Sequence, residues 1–197
     1  MENLEMTPEK SLKIISEAIS RSRKDFEKNA GTPLVIWGAI VLAYSIAIWI
    51  LLKNTGNINW NYLWFGIPVT GYPIAHILLK GKKHEANSSF IGKTLGHIWI
   101  TYGIFATVLA AVFTFIAPLY VGLIGCLTAV LLGFATTMTG NILKNNLITA
   151  GGFITGIGCT IALFYINKSD ASFLFAIAAL VDLLIPGIAM NRKANLK

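Results

Sequence analysis

The stretch from Leu95 to Met138 is apolar almost without interruption. Folded as one α-helix, it would be about 65 Å long at about 1.5 Å per residue. The hydrocarbon core of a bilayer is only about 30 Å thick. The stretch therefore predicts two membrane-crossing helices joined by a turn. Pro118, which has no backbone N–H and interrupts helices, is the expected position of that turn.

The composition of the whole chain agrees with this interpretation. Hydrophobic residues make up 55% of the 197 residues and charged residues only 13%. A soluble domain carries roughly a quarter charged residues, and a disordered chain is far less apolar. We therefore expect an all-α, polytopic membrane protein in contact with a lipid bilayer.

Six apolar runs of about 20 residues, the length that crosses a bilayer, divide the chain. The expected spans are residues 33–52, 60–79, 95–117, 119–140, 147–166 and 171–190. The expected domains are a cytoplasmic amphipathic helix at 1–31, a six-span domain at 32–192 and a tail at 193–197. Gly31 is expected to end the first helix, with Thr32 as the N-cap and Pro33 as the first residue of the next.

Lysine and arginine residues predict the orientation of these spans. If the N-terminus is inside, the cytoplasmic segments carry fourteen of the sixteen, and the outer segments carry only Lys53 and Lys168. Cytoplasmic loops are typically rich in Lys and Arg. We therefore expect both termini in the cytoplasm and the protein in a bacterial cytoplasmic membrane. Basic residues placed in this way flank a membrane and do not indicate nucleic-acid binding.

The N-terminal segment predicts a helix with a narrow apolar face. Thr7-Pro8-Glu9 is typical of a helix start, and Leu12, Ile15, Ile19 and Phe26 recur on one face with Ser22 in the gap. Residues 1–30 hold six acids and six bases, whereas a lipid-surface anchor usually has a basic polar face. Two interpretations stay open: a helix that lies against the inner membrane surface or the loops, and a helix in which residues 7–29 bind a cytoplasmic or membrane protein partner or self-associate.

Small residues at helical spacing predict which faces pack, because lipid provides no hydrophobic drive for helix association. Stripes of small residues in the third, fourth and fifth spans predict that these helices form the centre of the bundle. The stripes are Ala39, Ala43 and Ala47 in the first span; Gly103, Thr107 and Ala111 beside Ala106, Ala110 and Thr114 in the third; Gly125, Ala129, Gly133 and Thr137 in the fourth; and Gly152 and Gly156 with Gly158 and Ala162 beside them in the fifth.

Asp182 is the only acidic residue within a predicted span. An ionisable residue in that position is a functional hypothesis by default. Counted from the inner end, Asp182 lies about 13 Å deep, and Tyr44, Tyr72 and Thr155 lie at about 12–17 Å. We expect these three to be its hydrogen-bond partners. Asp182 is then either a structural hydrogen-bonded residue or a proton- or cation-linked one.

Other candidate residues carry weaker signals. His76 and His97 lie about 6 Å and 3 Å deep by the same count and are either wet interfacial histidines or a metal or proton site that would need a carboxylate such as Glu85. Pro68, Pro73 and Pro186 could break the second and sixth spans. No sequence motif for a catalytic residue, cofactor site or metal site is present. We therefore expect a protein that is not an enzyme.

The order of features carries one resemblance. A charged helix at 11–29, with Ser-Arg-Lys-Asp-Phe at 22–26, precedes Trp37-Gly38 at the start of the first span. In this order the chain resembles small uncharacterised six-helix bacterial integral membrane proteins with a cytoplasmic N-terminal helix. These proteins have no assigned activity, so the resemblance implies a fold and no functional residue.

These observations predict a non-enzymatic accessory or regulatory membrane module whose N-terminal helix binds a partner. The alternative is a small-solute or ion transporter, or a channel, that uses Asp182. The two hypotheses predict different interiors. A polar, water-accessible cavity that reaches Asp182 favours transport, and a filled interior favours the accessory module.

Overall fold

The computed structural model describes residues 8–80, 90–167 and 170–195, with the backbone alone at 25–29, 163, 194 and 195. Regular structure in these ranges is entirely helical. The α-helices are α1 Pro8–Thr55, α2 Gly66–Leu78, α3 Phe90–Ala111, α4 Ile124–Leu143, α5 Asn146–Tyr165, α6 Ala171–Ala179 and α7 Ile185–Asn195. 3₁₀ helices at Ile58–Phe65 and Pro118–Leu123 precede α2 and α4, and π-helices at Val112–Ile116 and Leu180–Leu184 follow α3 and α6.

Four helical segments of the described chain are long and apolar enough to cross a membrane. They are Ala30–Thr55, Phe90–Ile116, Pro118–Leu143 and Ala171–Lys193. A shorter apolar helical stretch covers Asn146–Ala162. The chain is therefore a helical protein with candidate transmembrane helices, as its composition predicts.

The predicted break between the N-terminal helix and the first span is wrong. α1 continues through Gly31, Thr32 and Pro33 as a single helix of 48 residues, which is about 72 Å long. Gly31 allows close packing and does not stop the helix, because a Cβ atom there would lie 2.7 Å from the carbonyl oxygen of Gly187 in α7. The Thr32 hydroxyl lies 3.4 Å from Asn191 Oδ1 and also faces α7.

The predicted turn at Pro118 is confirmed. The π-helix before it ends with the Ala117 N–H donating to the Val112 carbonyl at 2.9 Å. Ala117 itself leaves the helical region, with φ −127° and ψ 59°. The chain then resumes as a separate helical segment, and α3 and α4 contact one another.

α4 and α5 form a tight helical hairpin between the fourth and fifth predicted spans. Lys144 ends α4 with a left-handed backbone, φ 53°. The Asn145 side chain then accepts a hydrogen bond from the Leu147 N–H at 3.1 Å and so caps α5. Glycine residues bring the two backbones together, since a Cβ atom on Gly133 would lie 2.7 Å from the Gly152 carbonyl oxygen.

Two predictions about the packing faces are wrong. The first concerns α3, few of whose residues are buried, whereas α4 occupies the centre of the bundle. The second concerns α1, because Ala39, Ala43 and Ala47 are all exposed. The contact face of α1 in the bundle instead includes Gly38 and Ile48, which are buried. Spacing alone did not distinguish a small residue in a contact from one that faces outward.

We expect Gly133→Leu to destabilise the protein by about 1–3 kcal/mol or to prevent folding, since the new side chain would have to displace the α5 backbone. Gly158→Leu is the matched control, because a Cβ atom at Gly158 meets nothing within 4 Å. Thermal unfolding in mild detergent measures the difference. Equal midpoints for the two variants would contradict the packing at Gly133.

Candidate functional site

Asp182 lies in the π-helix Leu180–Leu184 and is fully buried, with 1% of its surface exposed. The Thr155 hydroxyl of α5 donates to Asp182 Oδ1 at 3.0 Å. Asp182 Oδ2 is also buried and has no hydrogen-bond partner among the described residues. Buried polar atoms are usually hydrogen-bonded. Asp182 Oδ2 is therefore an exception to this rule, whereas Oδ1 follows it.

Pro186 explains why the backbone widens at Asp182. Proline cannot donate to the carbonyl four residues earlier, which here belongs to Asp182. The Ile185 N–H donates five residues back, to the Leu180 carbonyl, as in a π-turn. The sequence suggests that Pro73 and Pro186 could break their helices. The structure shows no break at either position, since α7 continues through Pro186 and α2 through Pro73.

Other polar groups surround the carboxyl group. A Cβ atom on Gly151 would lie 3.5 Å from Asp182 Oδ1, and Tyr102 and Cys159 lie near enough to interact with the carboxyl group electrostatically. Sequence reasoning missed Tyr102, although a depth count from residue 95 places it about 10 Å deep, close to the level of Asp182.

Thr136 of α4 lies at the same level of the bundle. Gly133 and Thr137 of α4 both approach Gly152, and Asp182 contacts the adjacent turn of α5 through Thr155. Thr136 belongs to this turn of α4, is 1% exposed, and its hydroxyl has no hydrogen-bond partner among the described residues. Two unpartnered buried oxygens therefore occupy one level of the bundle.

The other two predicted partners of Asp182 do not bond to it. The Tyr44 hydroxyl lies 3.3 Å from the Thr70 hydroxyl. Tyr72 is exposed and contacts Trp37 edge to face, with ring centroids 5.3 Å apart. A depth count places residues at one level of the membrane but does not say which way each helix face points. Of the three predicted partners, Thr155 alone lies at the depth of Asp182 and on a helix face that points toward it.

The histidines and cysteines form no metal site in the part of the chain that the structure describes. His76 and His97 are both exposed, and Glu85 lies outside the described residues. Cys126 and Cys159 are buried free thiols on α4 and α5. They lie near enough to interact electrostatically.

A cavity of about 440 Å³ lies between α1, the Ile58–Leu78 segment, α3 and α4, and we call it the cleft. Most of its walls are apolar, and its polar lining includes Tyr102, Thr128 and Thr139. Leu183 lines it, but Asp182 does not. The interior is therefore neither filled nor a polar path to the buried acid.

An ion pair joins the C-terminal end of α1 to the start of α6. Lys53 Nζ lies 2.8 Å from Asp170 Oδ1, and the Trp49 indole N–H donates to the same oxygen at 2.9 Å. The hydrogen bonds from Lys53 and Trp49 hold the pKa of Asp170 below its usual range. The Trp49 ring also packs on Phe173, with centroids 4.8 Å apart.

No protein-family model, curated protein or solved structure matches this chain.

We expect Thr155→Val to lower stability by about 1–3 kcal/mol, because both carboxyl oxygens of Asp182 would then be buried without a partner. Thr155→Ser keeps the hydroxyl and is the control. Thermal unfolding of the purified protein in detergent gives the comparison. Identical losses in the two variants would show that the hydrogen bond to Asp182 contributes nothing.

Proposed function

We propose that the chain crosses the bilayer six times, with both termini in the cytoplasm. The Lys and Arg distribution supports this orientation. α5 has 20 residues, or about 30 Å of helix, and packs along α4, which is itself long enough to span. The 3₁₀ helix Ile58–Phe65 and α2 together extend about 35 Å, which is also sufficient for a crossing.

Single cysteines at exposed positions test this topology. In a variant without Cys126 and Cys159, a membrane-impermeant maleimide added outside intact cells should label Lys53→Cys and Asn167→Cys. Lys80→Cys and Lys144→Cys should be labelled only after the membrane is opened. Labelling of Lys53→Cys and Lys80→Cys from the same side would show that the second proposed span does not cross the membrane. The same result for Lys144→Cys and Asn167→Cys would show this for the fifth.

We further propose that the protein is a non-enzymatic accessory or regulatory module whose N-terminal helix binds a helix of a cytoplasmic partner protein. The observation that carries this proposal is the exposure of apolar residues before the first span. Leu12, Ile15 and Ile19 are 67%, 55% and 44% exposed. They lie on residues 8–29 of α1, which we call the lead helix and which extends about 33 Å.

Continuity of α1 favours a projecting lead helix over one that lies on the bilayer. A helix that leaves the membrane and then lies in its plane must change direction near residue 30, and α1 has no interruption there. Residues 12, 15, 19, 22 and 26 also follow an alternating spacing of three and four. This is the spacing of a coiled-coil seam, which pairs with a second apolar helix face.

The lead helix is also coupled to the membrane-embedded bundle. A Cβ atom on Gly38 of α1 would lie 2.9 Å from side-chain atoms of Leu183 and Leu184, in the π-helix that carries Asp182. A partner that moves the lead helix therefore acts on this contact through the continuous α1 helix. Asp182 does not line the cleft, so a regulatory module agrees better with the interior than a transporter that uses this residue.

Adjacent isoleucines provide a matched test of the seam. Ile14 and Ile15 are 54% and 55% exposed, but only Ile15 lies on the seam. With a photo-crosslinking residue at Ile19, Ile15→Glu should lower the yield of a discrete cross-linked product in native membranes by about tenfold, because a buried charge opposes helix pairing. Ile14→Glu should leave the yield unchanged.

The same cross-linker at Glu17, off the seam, provides the background yield. Equal losses with Ile14→Glu and Ile15→Glu, or a product no stronger from Ile19 than from Glu17, would refute partner binding through this face.

A further inference from the structure

Glycines on two helices of this protein have opposite surroundings. A Cβ atom on Gly133 of α4 would lie 2.5 Å from the Gly156 backbone nitrogen. On α3, a Cβ atom at Gly96 meets nothing within 4 Å, and one at Gly103 meets only the Tyr72 hydroxyl at 3.9 Å. Glycine weakens a helix relative to alanine. Gly96 and Gly103 line the cleft, and they widen it without bringing two helices together.

The cleft has the length and wall chemistry of a site for a hydrocarbon chain. Its lining on α3 extends from Gly92 to Ala110, about 27 Å along the helix, close to the roughly 30 Å of the hydrocarbon core. Its volume of about 440 Å³ falls in the range of small-molecule sites, roughly 300–1,000 Å³. Methylene groups gain dispersion contacts against such apolar walls.

Positive charge lies at one end of the cleft. Gly92 and Leu143 both line it, and each is followed directly by an exposed lysine, Lys93 on α3 and Lys144 at the end of α4. Neither lysine forms an ion pair with a carboxylate in the described ranges. Basic residues between transmembrane helices on the cytoplasmic side attract anionic lipid headgroups.

We propose that the cleft binds an anionic phospholipid of the inner leaflet, with an acyl chain along α3 and the phosphate at Lys93 and Lys144. The assignment to the inner leaflet rests on the proposed topology. Binding in the cleft does not depend on that topology or on the partner of the lead helix. The proposal thus adds a ligand site to the proposed function and can fail separately from it.

Native mass spectrometry of the purified full-length protein tests the site with phosphatidylglycerol and phosphatidylcholine as probes. We expect the wild type to retain one phosphatidylglycerol and to prefer it over phosphatidylcholine. Gly96→Phe, which places a large side chain in the cleft at a position where a Cβ atom meets nothing within 4 Å, should lower retention on the order of tenfold. Gly103→Leu, at a second lining position, should act in the same direction and serves if the first variant does not fold.

Gly158→Phe is the matched control, because Gly158 is exposed on α5 and lies outside the cleft. It should retain phosphatidylglycerol as the wild type does. A double variant, Lys93→Gln with Lys144→Gln, should lose the preference between the two lipids while it still binds them. Loss of that preference together with normal retention separates the headgroup contact from the acyl-chain contact.

Three results would overturn the proposal. The first is equal retention by Gly96→Phe, Gly103→Leu and Gly158→Phe. The second is a wild type with no preference for phosphatidylglycerol. The third is a two-chain species that both cleft variants abolish and Gly158→Phe preserves, which would assign the cleft to a second copy of the protein.

Discussion

The close approach of α4 and α5 holds the bundle together. Lipid is as apolar as leucine, so helices in a bilayer associate through packing and not through burial from water. At Gly133 and Gly152 the two backbones come nearer than any side chain would allow. α5 in turn presents Thr155 to Asp182, and α6 packs on α4. The position of the buried acid therefore depends on two glycines that carry no chemistry of their own.

Elements marked by a large local energy were predictable from the sequence. Pro118 and the Lys144–Asn145 turn are such elements, because a missing N–H and a helix end that needs a cap both act on the local backbone. Proline alone is not sufficient, since α1 continues through Pro33 and α2 through Pro73. The continuity of α1 was not predictable in this way. Gly31 resembles a helix stop in isolation, and only its contact with Gly187 shows that it is a packing residue.

The residues of the candidate site also divide into those that the sequence predicted and those that only the structure shows. Sequence hydropathy identified Asp182 as an acid within an apolar run, and a count of helix rise placed Thr155 at a similar depth. Both results need only the position of a residue along its own helix. Tyr44 and Tyr72 satisfied the count and still face other neighbours, since the rotation of each helix is decided by its contacts. Tyr102 and Thr136 were identified only in the three-dimensional arrangement. The effect of Pro186 on the helical turn that carries Asp182 was also visible only there.

The ion pair at the C-terminal end of α1 has a mechanical consequence. Trp49 and Lys53 anchor that end to Asp170, and Gly31 packs against Gly187 of α7 near the middle of the same helix. Residues 8–29 precede both attachments in one continuous helix, so a force on them is transmitted first to the region around Gly31. Ala30 and Leu34 in that region form part of the wall of the cleft, and a rotation of α1 about its Lys53 end would change the width of the cleft.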